Sequence, residues 1–280
     1  MTKLEIPCSY QGGKQRLAKE IIDIILEENK VNDKTIFYDI CCGSGAITIE
    51  LINRGIKPEQ IVMCDKSSWG VFWKAIGEGT FDIKAFNVYS KAVPRDYAQV
   101  QEYIVNLSKL DASIDEVYKY LILQATSFGG KQIWRENKEW KNASFRSYWQ
   151  PTEKSNRRSP VTPMHPNIDV IEKRVEILVN KCKGLKCIAD DAEKVLGIIQ
   201  KDNCIIYLDP PYTGTTKYGF TLDYIGYVKK IRNITYCPIY VSEKEQLSNV
   251  KDSRKLNFSS SKGGISGNRK NKHEEWLNKY

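Results

Sequence analysis

The chain has 280 residues, 41% of them apolar, enough to bury a sizeable core and to form one domain carrying a large insertion. No run approaches the roughly 18 consecutive apolar residues of a membrane span, and residues 1–5 lack the charged-then-apolar layout of an export signal. The net charge of +9 is concentrated, since residues 131–158 and residues 251–280 each hold eight Lys/Arg against three Asp/Glu. Two basic segments in an otherwise near-neutral chain favour a polyanion partner over general solubility.

In chain order, Tyr-Gln-Gly-Gly-Lys-Gln at residues 10–15 is turn-like. Residues 16–29 carry Leu17, Ile21, Ile24 and Ile25 at helical spacing and predict an amphipathic helix. Residues 35–40 read as a buried strand that runs into Cys41-Cys42-Gly43-Ser44-Gly45, followed by a helix over 46–54 that Gly55 and Pro58 stop. Residues 61–64 form a second strand ending in Asp65. This order is a βαβ unit, and parallel strands follow from it.

From about residue 80 the pattern changes. Helices over 97–107 and 114–124 precede an irregular aromatic and basic stretch with Phe128, Trp134, Trp140, Phe145, Tyr148 and Trp149. Pro160, Pro163 and Pro166 close it before a helix over 168–180. Strands resume at 185–189, 204–208 and 239–241. The expected organisation is therefore a first catalytic part over residues 1–80, an inserted, mainly helical recognition domain over 81–184, and a second catalytic part over 185–280. The Ser/Gly/Lys-rich stretch 259–268 is expected to be mobile.

Eight cysteines without an export signal predict free thiols in a reducing, cytoplasmic setting. Their spacing does not suit zinc. Cys41 and Cys42 are adjacent, Cys182 and Cys187 are too far apart for CxxC, and there are only two histidines, so no metal is expected.

The densest chemical signal closes the strand 204–208: Asp209-Pro210-Pro211-Tyr212. Two prolines lock φ and supply no N–H, so the chain leaves the sheet abruptly. What remains is a stiff acceptor site, the Asp209 carboxylate and the Pro210 carbonyl, with the Tyr212 ring beside them. It suits a planar group bearing an exocyclic amine. The glycine turn at 43–45 lets backbone approach a ligand, and Asp65, 20 residues past Gly45, stands where an acid can bind ribose hydroxyls. Thr48 replaces the third glycine of a dinucleotide fingerprint, which favours a nucleoside without a pyrophosphate.

Four segments together resemble the Dam-like, alpha-group S-adenosylmethionine-dependent DNA adenine-N6 methyltransferases. They are Tyr10-Gln11-Gly12-Gly13-Lys14, Asp39-Ile40-Cys41-Cys42-Gly43-Ser44-Gly45, Cys64-Asp65 and Asp209-Pro210-Pro211-Tyr212. The resemblance covers both ends of the chain, and the insertion matches only in position and character. It implies a Rossmann-like α/β methyltransferase fold, a mostly parallel sheet with helices on both faces, plus the inserted DNA-recognition domain.

It also implies roles. Tyr10, Gly13 and Lys14 contact the methionine part of S-adenosylmethionine. Asp39 and the turn Gly43-Ser44-Gly45 hold its amino-acid end, with Cys41 beside them, and Asp65 accepts from the ribose. Asp191 binds the adenine of the cofactor, or Asp190 takes that part. Asp209, Pro210, Pro211 and Tyr212 form the catalytic target-base site. Two departures stand out: Cys41-Cys42 where the family often has Phe, and Ala192 where an aromatic often follows the acid.

An exocyclic adenine amine is a poor nucleophile because its lone pair is delocalised into the ring. Accepting its hydrogens at Asp209 and Pro210 favours localising that pair on nitrogen. A base inside a duplex must be flipped out to reach such a pocket. Lys131, Arg135, Lys138, Lys141, Lys154, Arg157 and Arg158 are the candidate contacts to double-stranded DNA, with the tryptophans stacking, wedging or forming a small core. The basic stretch 254–272 is expected to add phosphate contacts. Rival readings are methylation of cytosine N4, RNA adenine or a glutamine side chain, and a nucleic-acid-binding relative without activity. A monomer is expected.

Overall fold

The computed structural model describes residues 3–212, 219–257 and 274–280. The stretch 259–268 and most of the basic stretch 254–272 lie outside the described residues. The first part runs α1 (Ala18–Glu28), β1 (Ile36–Ile40), α2 (Ala46–Asn53), β2 (Ile61–Cys64) and α3 (Ser68–Glu78). Then come α4 (Ile83–Lys91), α5 (Tyr97–Ser108), α6 (Glu116–Thr126), a hairpin of β3 (Trp134–Glu136) and β4 (Glu139–Lys141), and α7 (Ile168–Lys181). The last part holds β5 (Lys186–Ile188), α8 (Glu193–Leu196), β6 (Cys204–Leu208), α9 (Tyr224–Arg232), β7 (Ile239–Glu243), β8 (Asp252–Lys255) and β9 (Trp276–Lys279).

The main sheet has the order β5-β2-β1-β6-β7-β9-β8. Its first five strands are parallel, and β9 is antiparallel to both neighbours. Because successive strand residues face opposite sides, each strand feeds two layers. Phe37, Met63, Ile205 and Tyr207 pack with α1, α2, α3 and α7 on one face. Tyr38, Val62, Ile206 and Leu208 pack with α8 and α9 on the other. Helices on both faces of a mostly parallel sheet make the Rossmann-like α/β fold expected from the sequence.

Helix α3 anchors the first layer. Trp69, Phe72, Trp73 and Ile76 are fully buried, and each such side chain contributes about 2 kcal/mol or more of apolar burial. Trp69 meets Tyr120 of α6 edge-on at 5.3 Å, and Phe72 meets Phe81 at 5.8 Å. The hydrophobic cluster under the sheet therefore continues without a break into α4, α5, α6 and α7. The aromatic stretch divides by burial: Trp140 stacks on Tyr120 inside this cluster, whereas Trp149 is exposed.

Two C-terminal strands were not foreseen. The described ends of the basic segment 251–280 close the sheet instead of standing free. Arg254 and Lys279 both pair with Glu28 at 2.6 and 2.8 Å, and Lys255 pairs with Glu274. Arg254 and Lys255, expected to meet phosphates, thus each hold an internal ion pair.

Candidate active site

Parallel pairing fixes the centre of the site. β1 and β6 are neighbours with Ile40 opposite Leu208, and the Asp209 N–H continues that ladder by donating to the Ile40 carbonyl. The two strand ends, Cys41 onward and Asp209 onward, therefore open side by side. One cleft is lined by the 10–14 loop, the Asp39–Ser44 segment, Asp65, Asp190, Asp191 and the Asp209–Tyr212 corner. Among the residues singled out from sequence for cofactor and base, Gly45 alone is outside the lining. Gln132 of the insertion and Phe220 to Leu222, on the approach to α9, complete it.

The glycine turn is shaped by close packing. Gly43 has φ +48°, and a Cβ there would lie 2.8 Å from the Tyr10 ring. Gly45, the N-cap of α2, has φ +75°, and its Cβ would fall 2.2 Å from Trp73. Only glycine tolerates both demands. The turn thus fits between Tyr10 and Trp73, whose Nε1 donates to the Gly43 carbonyl at 3.1 Å.

Asp39, buried to 1% exposure, caps α2 from the preceding strand. Its Oδ2 accepts from the Thr48 N–H at 3.2 Å and the Thr48 hydroxyl at 2.7 Å. Thr48 therefore has work at the position where a dinucleotide fold carries glycine. The other oxygen, Asp39 Oδ1, and the buried Ser44 Oγ have no hydrogen-bond partner among the described residues. Burial outweighs the Thr48 bonds and pushes the Asp39 carboxyl up to about 6.

Asp65 holds the same turn from β2. Its Oδ2 accepts from the Gly43 N–H at 2.8 Å, and its Oδ1 accepts from the Ser67 N–H and hydroxyl. Burial raises its carboxyl above the ordinary value despite those bonds. By lone-pair count, Oδ2 retains acceptor capacity on the cleft side. Asp191 accepts from the Glu193 N–H and pairs with Lys66 at 3.1 Å, which hold its carboxyl below the usual range. Asp190 is exposed, and its Oδ1 takes the Asp191 N–H.

At the diproline corner the Lys14 ammonium, buried to 5% exposure, reaches Asp209 Oδ1 at 2.6 Å and Oδ2 at 2.8 Å. It lies 4.9 Å from the Tyr212 ring centre and 3.3 Å from Glu275. Tyr212 donates its hydroxyl to that same Glu275. Burial raises the Asp209 carboxyl to about 7, against the lowering pull of Lys14 and with Glu275 adding to the rise. Glu275, in the segment leading to β9, carries no sequence signal, and the reading of residues 251–280 as a basic tail hid it. Burial pushes the Cys41 and Cys42 thiols well up, so both stay protonated. Among the described residues no cluster of metal-ligating side chains occurs.

Six of the seven candidate DNA contacts in the insertion separate into two groups, and Lys131 stands apart. Arg135 pairs with Glu116 at 2.6 Å, Lys138 with Asp111 at 3.5 Å, and Lys141 with Glu139 at 2.5 Å. Lys154, Arg157 and Arg158 are exposed and pair with no carboxylate among the described residues. Lys131 lies over the ring of Phe128, itself 57% exposed, on a turn whose Gly130 carbonyl accepts from the Gln11 N–H of the cleft.

A model of the family described as D12 class N6 adenine-specific DNA methyltransferase matches residues 10–262, nearly the whole chain. The chain belongs to that family. Its reaction is the methylation of adenine N6 in DNA, and it requires a methyl donor. Among solved structures, this methyltransferase is similar to an rRNA methyltransferase, aviRa, from Streptomyces viridochromogenes. The two share 12% identity over 94% of this chain and 83% of that one, with a TM-score of 0.41. No curated protein matches significantly. No helix of the described residues is long and apolar enough to cross a membrane.

Proposed function

We propose that this methyltransferase takes its methyl group from S-adenosylmethionine and acts on an adenine flipped out of double-stranded DNA. The observation that carries the reading is the cleft shared by the glycine turn and the diproline corner, with two buried acceptors that have no partner among the described residues. Asp39 Oδ1 and Ser44 Oγ suit an amino-acid ammonium, which needs acceptors away from water. Asp65 Oδ2 suits a ribose hydroxyl, and Asp190 or Asp191 suits the exocyclic amine of the cofactor adenine. Tyr10, Gly13, Cys41 and Gly43 wall this end of the cleft, and Gly45 supports it from behind through its contact with Trp73. When bound, S-adenosylmethionine supplies an electrophilic methyl on a sulfonium.

The target adenine stacks on Tyr212, and its amine donates to Asp209 and the Pro210 carbonyl. Both acceptors hold the nitrogen lone pair out of conjugation, and Pro211 keeps the corner rigid. Asp209 acts first as acceptor; the surplus proton of the methylated amine leaves afterwards, to the Asp209 carboxylate or to water. Extrusion of the base costs a few kcal/mol, and phosphate contacts along the insertion (residues 81–184) supply it. Lys154, Arg157 and Arg158 are the open cations for that task, with Lys131 beside the exposed Phe128. Arg135, Lys138 and Lys141 exchange acid partners for phosphates. All motifs of the site lie in one chain, so a monomer suffices.

Calorimetry with S-adenosylmethionine tests the cofactor half. Wild type binds, and Asp39→Asn loses about tenfold or more in affinity, as expected for one charge-assisted bond. Equal affinity of the two proteins contradicts the assignment of Asp39.

A further inference from the structure

Lys14 occupies both oxygens of Asp209, at 2.6 and 2.8 Å. The adenine amine needs the same oxygens, so the ammonium must give way as the base arrives. A second carboxylate is already within reach, since Glu275 Oε1 is 3.3 Å from the Lys14 nitrogen. The sheet places it there: Trp276, the first residue of β9, pairs with Glu243 at the end of β7, and β7 is the neighbour of β6, which ends at the diproline corner. Glu275 also accepts the Tyr212 hydroxyl. A single carboxylate thus touches the cation beside the acceptor and the ring beside the base.

Resting on the function proposed above, we infer that Glu275 is a positioning residue that takes over the Lys14 ammonium when the extruded adenine claims Asp209. A buried ammonium is costly to leave without a counter-charge. With Glu275 alongside, the cation changes partner by a short side-chain movement and never loses compensation. Loss of the Glu275 charge leaves the ammonium, which also donates to the Gly12 carbonyl at 3.3 Å, held more firmly by Asp209 and in competition with the base. The same contact keeps Tyr212 turned toward the site.

The groups facing Asp209 among the described residues are Lys14, Glu275, Asp39, Cys41, Tyr207 and Tyr212. Glu243 and Lys14 face Glu275 in turn. Removing the negative charge of Glu275 makes Asp209 easier to ionise. Glu275→Gln is therefore slower and yet active at lower pH, a combination that a purely structural role does not produce.

The experiment compares wild type, Glu275→Gln, Lys14→Met and the double variant in single-turnover methylation of DNA across pH, with S-adenosylmethionine affinity measured on the same preparations. Glu275→Gln is expected to bind cofactor as wild type does, to lose about tenfold in rate, and to show its acid limb at lower pH. The double variant is expected to be no slower than Lys14→Met, because Glu275 acts through Lys14. A Glu275→Gln rate equal to wild type, a slower rate with an unmoved acid limb, or losses that multiply in the double variant would each overturn the inference. If Glu275→Gln is poorly folded, the comparison of Lys14→Met with the double variant still decides, since both lack the ammonium that Glu275 balances. Wild type that leaves adenine unmethylated refutes the proposed function itself, which separates the two failures.

Discussion

Lys14 and Asp209, 195 residues apart in sequence, share a bidentate contact of 2.6 and 2.8 Å in the floor of the cleft. The pair explains how a largely buried carboxylate is kept at the diproline corner. Burial disfavours its charge, and Lys14 restores part of what is lost. The carboxyl is left near neutrality, with a value of about 7, so small changes in pH or neighbouring charge alter its capacity to accept.

That value sets a pH dependence. Asp209 accepts an amine hydrogen fully only when ionised, and its raised carboxyl is protonated below about pH 7. The specificity constant for DNA is therefore expected to rise with pH through about 7 and to level off above it, since this quantity reports ionisations of the enzyme before DNA binds. A pH–rate profile at saturating cofactor checks this. A flat profile from pH 5.5 to 8.5 contradicts it.

Asp39 gives a stability signature of the opposite kind to a salt-bridged acid. Its folded value of about 6 lies above the ordinary 3.8. Below about pH 4 both states are protonated and the burial carries no charge penalty. Between about 4 and 6 the unfolded chain releases its proton first and the fold loses stability. Above about 6 the full cost of about 3 kcal/mol is present. Asp39→Asn has no such term, so its thermal midpoint relative to wild type should climb from pH 4 to 6 and then hold constant. Thermal melts of both proteins across that range measure it.

The two groups of basic residues in the insertion differ in their partners, and salt should reveal it. Neutralising Lys154, Arg157 and Arg158 together removes up to three open phosphate contacts, which lowers the slope of log affinity against log salt by about 2–3. Neutralising Arg135, Lys138 and Lys141 removes residues that must first leave Glu116, Asp111 and Glu139. Its effect on the slope should be smaller. Titrations of DNA binding at several salt concentrations distinguish them.

The sequence made the centre of this molecule legible and its edges obscure. β2 and β6 are continuous apolar runs, and β1 is one but for Asp39, because both of their faces are covered, and that pattern survives without any knowledge of neighbours. Helix α3 does not announce itself. It contains Gly70 and Gly77, poor helix formers, and both are needed because a Cβ would fall 2.0 Å from the Asp65 carbonyl and 2.1 Å from the Leu185 carbonyl. Tertiary packing overrode local propensity there. The polar strand Asp252-Ser253-Arg254-Lys255 has no apolar period at all; its pairing comes from β9.

Cations that read as a polyanion surface, Arg254 and Lys279 among them, are balanced by Glu28 from α1, which only the fold brings near. The same limit hid Glu275, whose partners Lys14 and Tyr212 lie far away along the chain. The motif residues could be found because each small segment holds its own chemistry. Tyr10, Asp39, Asp65 and Asp209 needed the sheet only to converge on one cleft.

The central claim is most directly tested by nucleoside mass analysis of DNA incubated with S-adenosylmethionine and either wild type or Asp209→Asn. N6-methyladenine should form with wild type and fall by about 100-fold or more with Asp209→Asn, the scale for losing a transition-state electrostatic partner, while both proteins bind the cofactor alike. Methylation found at cytosine instead, or Asp209→Asn working at the wild-type rate, would contradict the account.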